Sequence, residues 1–316
     1  MTTPLVGPDP DDPSFVYEEF ALLGDNCAEF DLPWDGTAHV ERVETVLSDG
    51  RKSSAIKWGS GSPEVVFLHG GAQNAHTWDT VALMLRPRSL LALDLSGHGH
   101  SSWRADGSYN PRTNAVDAAA TIDEHAPDAR LIVAMSLGGL TANSLAATFP
   151  WLVERLVVID VTPGVNRDKA ADIHAFIEGP QSFASFTEIF DRTVMFNPTR
   201  SASSLRRGIL HNAHRNADGT WEWNYDRSHV GDSGTPPEVE RLPADLWDDV
   251  SEIPAPYLLL RAADSPVVDD EDVAELLRRK PDARVEVVQA SGHSIQGDQP
   301  AVLAGIIERE LALLDG

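Results

Sequence analysis

Six short runs in this chain are mostly apolar and lack the strict polar–apolar alternation of a half-exposed strand. They are EVVFLHG (64–70), SLLALD (89–94), RLIVAMS (130–136), RLVVID (155–160), PYLLLRA (256–262) and RVEVVQA (284–290). Strands covered on both faces read this way, because no face is left to take polar side chains. Helical patterns over 76–85, 112–125, 138–148, 270–279 and 299–314 separate most of these runs. Buried strand alternating with helix predicts an α/β fold: an open, mostly parallel sheet with helices on both faces. Ahead of the runs, HVERVETVL (39–47) alternates, and SSAIKWG (53–59) follows the turn pair Asp49-Gly50. This pair predicts an antiparallel hairpin at one sheet edge.

The rhythm stops between Thr162 and Trp247. That stretch holds helical pieces at 168–178 and 182–194 and a polar, aromatic segment at 211–226, but no buried-strand run. The expected organisation is an acidic, partly disordered arm over 1–38, a core over 39–162 and 248–316, and a mostly helical cap inserted over 163–247. Asp plus Glu number 49 against 25 for Lys plus Arg, a formal charge of −24. Such a chain repels nucleic acid and anionic membrane surfaces. The first residues, MTTPLVGPDPDDPS, lack the basic start and apolar core of a signal peptide. No apolar run reaches the roughly 20 residues of a membrane span. Cys27 is the single cysteine, so no intrachain disulfide forms, and its acidic neighbours raise the thiol pKa and make it a poor nucleophile. These features predict a cytoplasmic monomer or homodimer that acts on a small molecule.

Ligands of a parallel sheet bind beyond the carboxyl ends of its strands. At one such end stands Ala134-Met135-Ser136-Leu137-Gly138-Gly139, with a helix starting at once. Small residues flanking a Ser at a strand-to-helix turn form a nucleophile elbow, and the helix N-terminus supplies unpaired N–H groups. The bland alternative is a Ser that only caps a helix. Ser136 is therefore the candidate nucleophile and the Leu137 N–H one candidate oxyanion donor. His69-Gly70-Gly71 ends another run, and the Gly71 N–H is the candidate second donor, or Ala72 if the loop is shifted by one. His293, after 284–290, is the candidate base. Asp264, after 256–262, is the preferred acid because it precedes His293 by one strand–helix unit. Asp160 is the alternative, and Asp269 and Asp270 more simply begin a helix. The order Ser136, Asp264, His293 is the one used by hydrolases with this elbow. His98 and His100 lack an acidic partner at ligand spacing, so no metal is expected.

The set formed by His69-Gly70-Gly71, the 94–101 run DLSGHGHS, the Ser136 elbow and Ser291-Gly292-His293 resembles the α/β-hydrolase superfamily from about Val40 to Leu314. That resemblance implies eight strands, a helical cap after the sixth, and chemistry without a cofactor. Ser at the elbow sets the chain apart from the dehalogenase and epoxide hydrolase branches, which use Asp there. Met135, His76, Trp78, Trp221 and Trp223 are the candidate pocket residues. The expected activity is hydrolysis of a carboxylic ester or lactone of a small apolar or aromatic molecule through an acyl-enzyme. Carbon–carbon bond hydrolysis, or ligand binding with little turnover, are the alternatives.

Overall fold

The computed structural model describes residues 7–227 and 246–315. Eight strands form one sheet: β1 (Val40–Val46), β2 (Lys52–Trp58), β3 (Val65–Leu68), β4 (Leu90–Asp94), β5 (Leu131–Met135), β6 (Leu156–Ile159), β7 (Tyr257–Ala262) and β8 (Arg284–Val288). Their order is β1-β2-β4-β3-β5-β6-β7-β8. The first two pair antiparallel with each other, and β2 pairs antiparallel with β4, which is the expected edge hairpin. From β4 to β8 every pairing is parallel. The central strands are buried on both faces. Val66, Leu68, Ile132 and Ala134 point to one apolar layer, and Val65, Phe67, Leu131 and Val133 to the other.

The first layer is closed by α3 (Pro111–His125), α4 (Leu137–Thr148), α8 (Leu246–Glu252) and α9 (Asp270–Arg279). The second is closed by α1 (Leu23–Glu29), α2 (Asp79–Met84), α10 (Ile295–Asp298) and α11 (Pro300–Asp315). No helix among the described residues is long and apolar enough to cross a membrane.

The insertion carries α5 (Ala171–Ile177), α6 (Phe186–Phe196) and α7 (Ala202–Asn212). It also carries a small antiparallel sheet of Ser182–Phe183, Ala213–Arg215 and Trp221–Trp223, which the expectation of a mostly helical cap did not include. Strands of two or three residues are too short for periodicity to reveal. Residues 228–245 of the predicted cap lie outside the described residues.

The N-terminal arm is packed against the body. Leu23 and Cys27 sit in the core, and the Asp11 carboxylate accepts the Phe186 N–H at the start of α6 and the Trp221 indole N–H. Pro8 accepts from Arg206, and Tyr17 O is 2.7 Å from His211 Nδ1. Residues 7–38 of the arm, most of them still exposed or half-exposed, thus tie cap to core. Residues 1–6, also expected to be disordered, lie outside the described residues.

Candidate active site

Ser136 ends β5 and begins α4 with φ +52° and ψ −121°. A non-glycine residue held there costs about 1–3 kcal/mol, a strain typical of functional turns. The turn closes because Gly138 and Gly139 have no side chains. A Cβ on Gly138 would stand 2.4 Å from the Leu68 carbonyl oxygen, and one on Gly139 would stand 2.6 Å from Val161 Cγ1. The first turn of α4 is therefore pressed against the end of β3, which carries the His69-Gly70-Gly71 loop.

Two neutral histidines shape that loop. His69 Nε2 accepts the Leu95 N–H while its Nδ1 bonds the Gly70 carbonyl. Full burial pushes the His69 imidazolium pKa down, in keeping with the neutral ring. His98 Nε2 accepts the Ala72 N–H, and its Nδ1 lies 3.1 Å from the Ser96 carbonyl. The Ala72 N–H is thereby committed. Among the described residues the N–H groups of Gly71 and Leu137 have no hydrogen-bond partner. His98 and His100 do not converge on a common ligand: His98 faces the loop, and His100 Nε2 lies 3.9 Å from Glu19.

His293 follows β8. Its Nδ1 is 2.9 Å from Asp160 Oδ2, and its Nε2 is buried without a hydrogen-bond partner. Asp160 ends β6, the neighbour of β5. It is fully buried, has φ +48°, and holds its other carboxylate oxygen on the Ala262 N–H at 2.9 Å. A carboxylate accepts only, so Nδ1 carries the proton and the Nε2 lone pair faces the cavity.

Asp264 is not the partner of His293, a correction to the preferred acid. Its backbone N–H bonds the Ser291 carbonyl, and its side chain is exposed at the rim. The loop after β7 runs beside the histidine loop with Asp264 turned outward, whereas Asp160 is clamped between β6 and β7 and aimed inward. Ser136 and His293 line one cavity of about 420 Å³ without being hydrogen-bonded to each other. Such contacts are often loose before substrate binds.

Of the predicted pocket residues, Met135 lines this cavity. The others are placed elsewhere, because each finds a better partner in the core or cap. Trp78 is fully buried and stacks on Phe67. Trp221 packs edge-on to Phe186, and Trp223 stacks on Tyr225. His76 and one edge of Trp223 line an adjoining chamber of about 190 Å³, which shares Gln73, Phe176, Asn197 and Arg200 with the cavity. The cavity walls come instead from Phe176 and Ile177 of α5, Phe196 of α6, and Val267. Their sequence signal, a few apolar residues in the insertion and one in the loop after β7, is too weak to have singled them out.

His76, Asp79 and His211 bring ligand atoms within 4.8 Å of one another. The two imidazoles stack in parallel with centroids 3.8 Å apart, so their in-plane lone pairs do not converge on one ion. The group is a buried charge network. His76 bonds both Asp79 and Glu19. Burial opposes its charge, but the two carboxylates prevail and raise its pKa to about 9. His211, buried beside that cation, is pushed well below its ordinary value.

A pH optimum of stability follows. The unfolded chain protonates His69 and His211 near their ordinary value, but the folded chain does not, so stability falls as pH drops below about 6.5. His76 holds its proton longer folded than unfolded, so its contribution is lost as pH rises from about 6.5 toward 9. Urea denaturation midpoints from pH 5 to 9.5 are expected to peak near pH 6.5–7. In His76→Gln the decline on the alkaline side should flatten. A midpoint rising steadily to pH 9 would contradict this reading.

A model of the alpha/beta hydrolase family matches residues 65–306. The chain is 43% identical over 305 residues to esterase Rv0045c of Mycobacterium tuberculosis, spanning 94% of this chain and 97% of that protein. A solved structure of the same esterase, from work on its transition-metal inhibition, aligns with a TM-score of 0.81 at 42% identity, over 95% of this chain and 99% of that one. A solved E-2-(acetamidomethylene)succinate hydrolase, at 22% identity, TM-score 0.73 and coverage of 86% and 98%, shares the fold. With its sheet order, its strained Ser136 turn and a family match over most of its length, the chain belongs to the alpha/beta hydrolase family and is a hydrolase.

Proposed function

We propose that the protein is a serine esterase with Ser136 as nucleophile, His293 as general base and acid, and Asp160 as the acid that orients the histidine. The observation that carries this reading is the buried Asp160–His293 pair, whose free Nε2 opens into the cavity lined by Ser136. Ser136 Oγ attacks the ester carbonyl as its proton passes to His293 Nε2. The carbonyl oxygen becomes an oxyanion that the Gly71 and Leu137 N–H groups receive, since the Ala72 N–H is already spent on His98. Collapse expels the alcohol, which takes the proton from His293, and leaves an acyl group on Ser136. A water, deprotonated by the same nitrogen, then attacks the acyl carbonyl and releases the carboxylic acid and free Ser136. The apolar walls from Phe176, Ile177 and Phe196 suit a small acyl or alkyl chain. We place this chemistry in the cytoplasm, with a single buried thiol and no metal or cofactor in the reaction.

The test is covalent labelling with a fluorescent fluorophosphonate. The wild type should label at one site, mapped by peptide mass to Ser136, and Ser136→Ala should not label. A wild type that stays unlabelled while hydrolysing ethyl butyrate would overturn the assignment of the nucleophile.

A further inference from the structure

Arg200 lies in the loop between α6 and α7, where it lines both the cavity that holds Ser136 and His293 and the chamber that adjoins it. Its Nη2 donates to Ser204 Oγ at 2.6 Å. Among the described residues no carboxylate forms an ion pair with it. Asp298 and Glu29 attract it only at longer range, and burial outweighs them, so its pKa is lowered. Arg86, Arg192, Arg206, Arg215 and Arg227 likewise form no carboxylate ion pair among the described residues, but none of them lines this cavity. The neighbouring Arg207 pairs with Glu29. Arg192 and Arg206 also lack a carboxylate, but each rests on an aromatic face and donates to backbone carbonyls. The other cation of the cavity, the Lys169 ammonium, is bridged to Asp269 and Asp272 at 2.8 Å. Arg200 therefore brings a partly desolvated positive charge into the cavity without a counter-ion.

The backbone is shaped to keep it there. Gly297, in the short helix just after His293, faces the guanidinium so closely that a Cβ would stand 1.8 Å from Arg200 Nη1. Asp298 attracts it more than Glu29 does, but its carboxylate accepts the Gly292 N–H at 2.9 Å and so holds the histidine loop. The acids Asp168, Asp172 and Asp264 are exposed at the rim. Their repulsion of an incoming anion is screened by solvent and salt over about 8–10 Å. A charge-assisted, forked contact inside the cavity is not screened to that extent.

We propose that Arg200 determines specificity by binding a carboxylate on the substrate, so that the preferred esters also carry a carboxylate, as the monoesters of short dicarboxylic acids do. This rests on the serine esterase reading above. An arginine suits the task because its planar fork matches a carboxylate and it does not lose its proton. The apolar walls then take the methylene chain between ester and carboxylate.

The test compares monoethyl succinate, glutarate and adipate with ethyl butyrate, valerate and hexanoate, the matched esters that end in methyl. Ester hydrolysis is followed by pH-stat. In the wild type, at least one charged ester is expected to exceed its neutral match in kcat/KM by about tenfold. In Arg200→Met that ratio should drop by about 30-fold, with the neutral ester changed less than about threefold. Gly297→Ala, which displaces the guanidinium while keeping the charge, should lower the ratio in the same direction and stands in if Arg200→Met does not fold. Ratios that stay within about twofold of wild type in both variants, at every chain length, would overturn the proposal. If these ratios are unchanged while Ser136 still labels with fluorophosphonate, only the role of Arg200 fails. A wild type that neither labels nor hydrolyses any of the six esters overturns the esterase reading and this proposal with it.

Discussion

Asp160→Asn is expected to lower kcat by about 10⁴-fold at neutral pH, with Ser136 and His293 still in place. The amide has nearly the shape of the carboxylate, so the bond to His293 Nδ1 can persist. Its polarity changes, however. If the amide NH₂ turns toward the ring, Nδ1 must accept, and the proton moves to Nε2, where it blocks attack by Ser136. If the amide oxygen faces the ring, the negative charge that stabilises the imidazolium is lost. Asp160 also accepts the Ala262 N–H, which an amide oxygen can keep, so the fold should survive. Asp264→Asn is the matched control: its side chain is exposed and does not touch His293, so kcat should stay within about threefold of wild type. Steady-state kinetics of both variants on one short-chain ester decide the matter. A large loss in Asp264→Asn with a small one in Asp160→Asn would reverse the assignment of the acid.

Gly138→Ala is expected to destabilise the protein by about 3 kcal/mol or more, above the usual overpacking penalty. The added methyl would meet the Leu68 and His69 carbonyl oxygens at 2.4 and 2.6 Å. Both are backbone atoms, one at the end of β3 and one just after it, so neither can rotate away as a side chain would. If the chain folds at all, α4 must lift from the end of β3. That carries the Leu137 N–H away from the Gly71 N–H and spoils the pair proposed to hold the oxyanion. A displacement of about 1 Å there can cost 10²-fold in rate. Gly71→Ala is the contrast, because its Cβ would meet only Ile177 Cδ1 at an ordinary 3.7 Å. Urea denaturation should therefore separate the two variants clearly, and equal midpoints would show that α4 does not depend on this contact.

Much of this architecture is legible in one dimension. Strands buried on both faces must be apolar throughout, so β3 to β7 announce themselves as short runs between helical patterns. The Ser136 elbow is legible for a related reason: a turn this tight tolerates only small neighbours, and small residues beside a Ser at a strand end are a visible signature. His293 is found by its place after the last strand.

The acid of the site shows where that reading stops. Asp160 and Asp264 each follow a buried strand, and sequence offers no more than their spacing to His293. The choice is made by the direction of each side chain at the end of its strand. Asp160 takes a left-handed turn that points it inward onto the Ala262 N–H and His293, while the Asp264 loop, pinned by Ser291, turns its carboxylate to solvent. The same holds for the pocket. Trp78, Trp221 and Trp223 look like ligand-facing aromatics in sequence, but large rings are also what a core and a small cap need for packing, and that is where they lie. Some arginine counter-ions are long-range too, as in Arg42–Asp94 and Arg155–Glu310. Sequence alone determined the sheet, the small-residue turn at Ser136, and the candidate nucleophile and base. Which acid orients the histidine, which N–H groups are free, and that Arg200 is left unpaired inside the cavity were decided by tertiary structure, because each depends on side-chain directions set by residues distant along the chain.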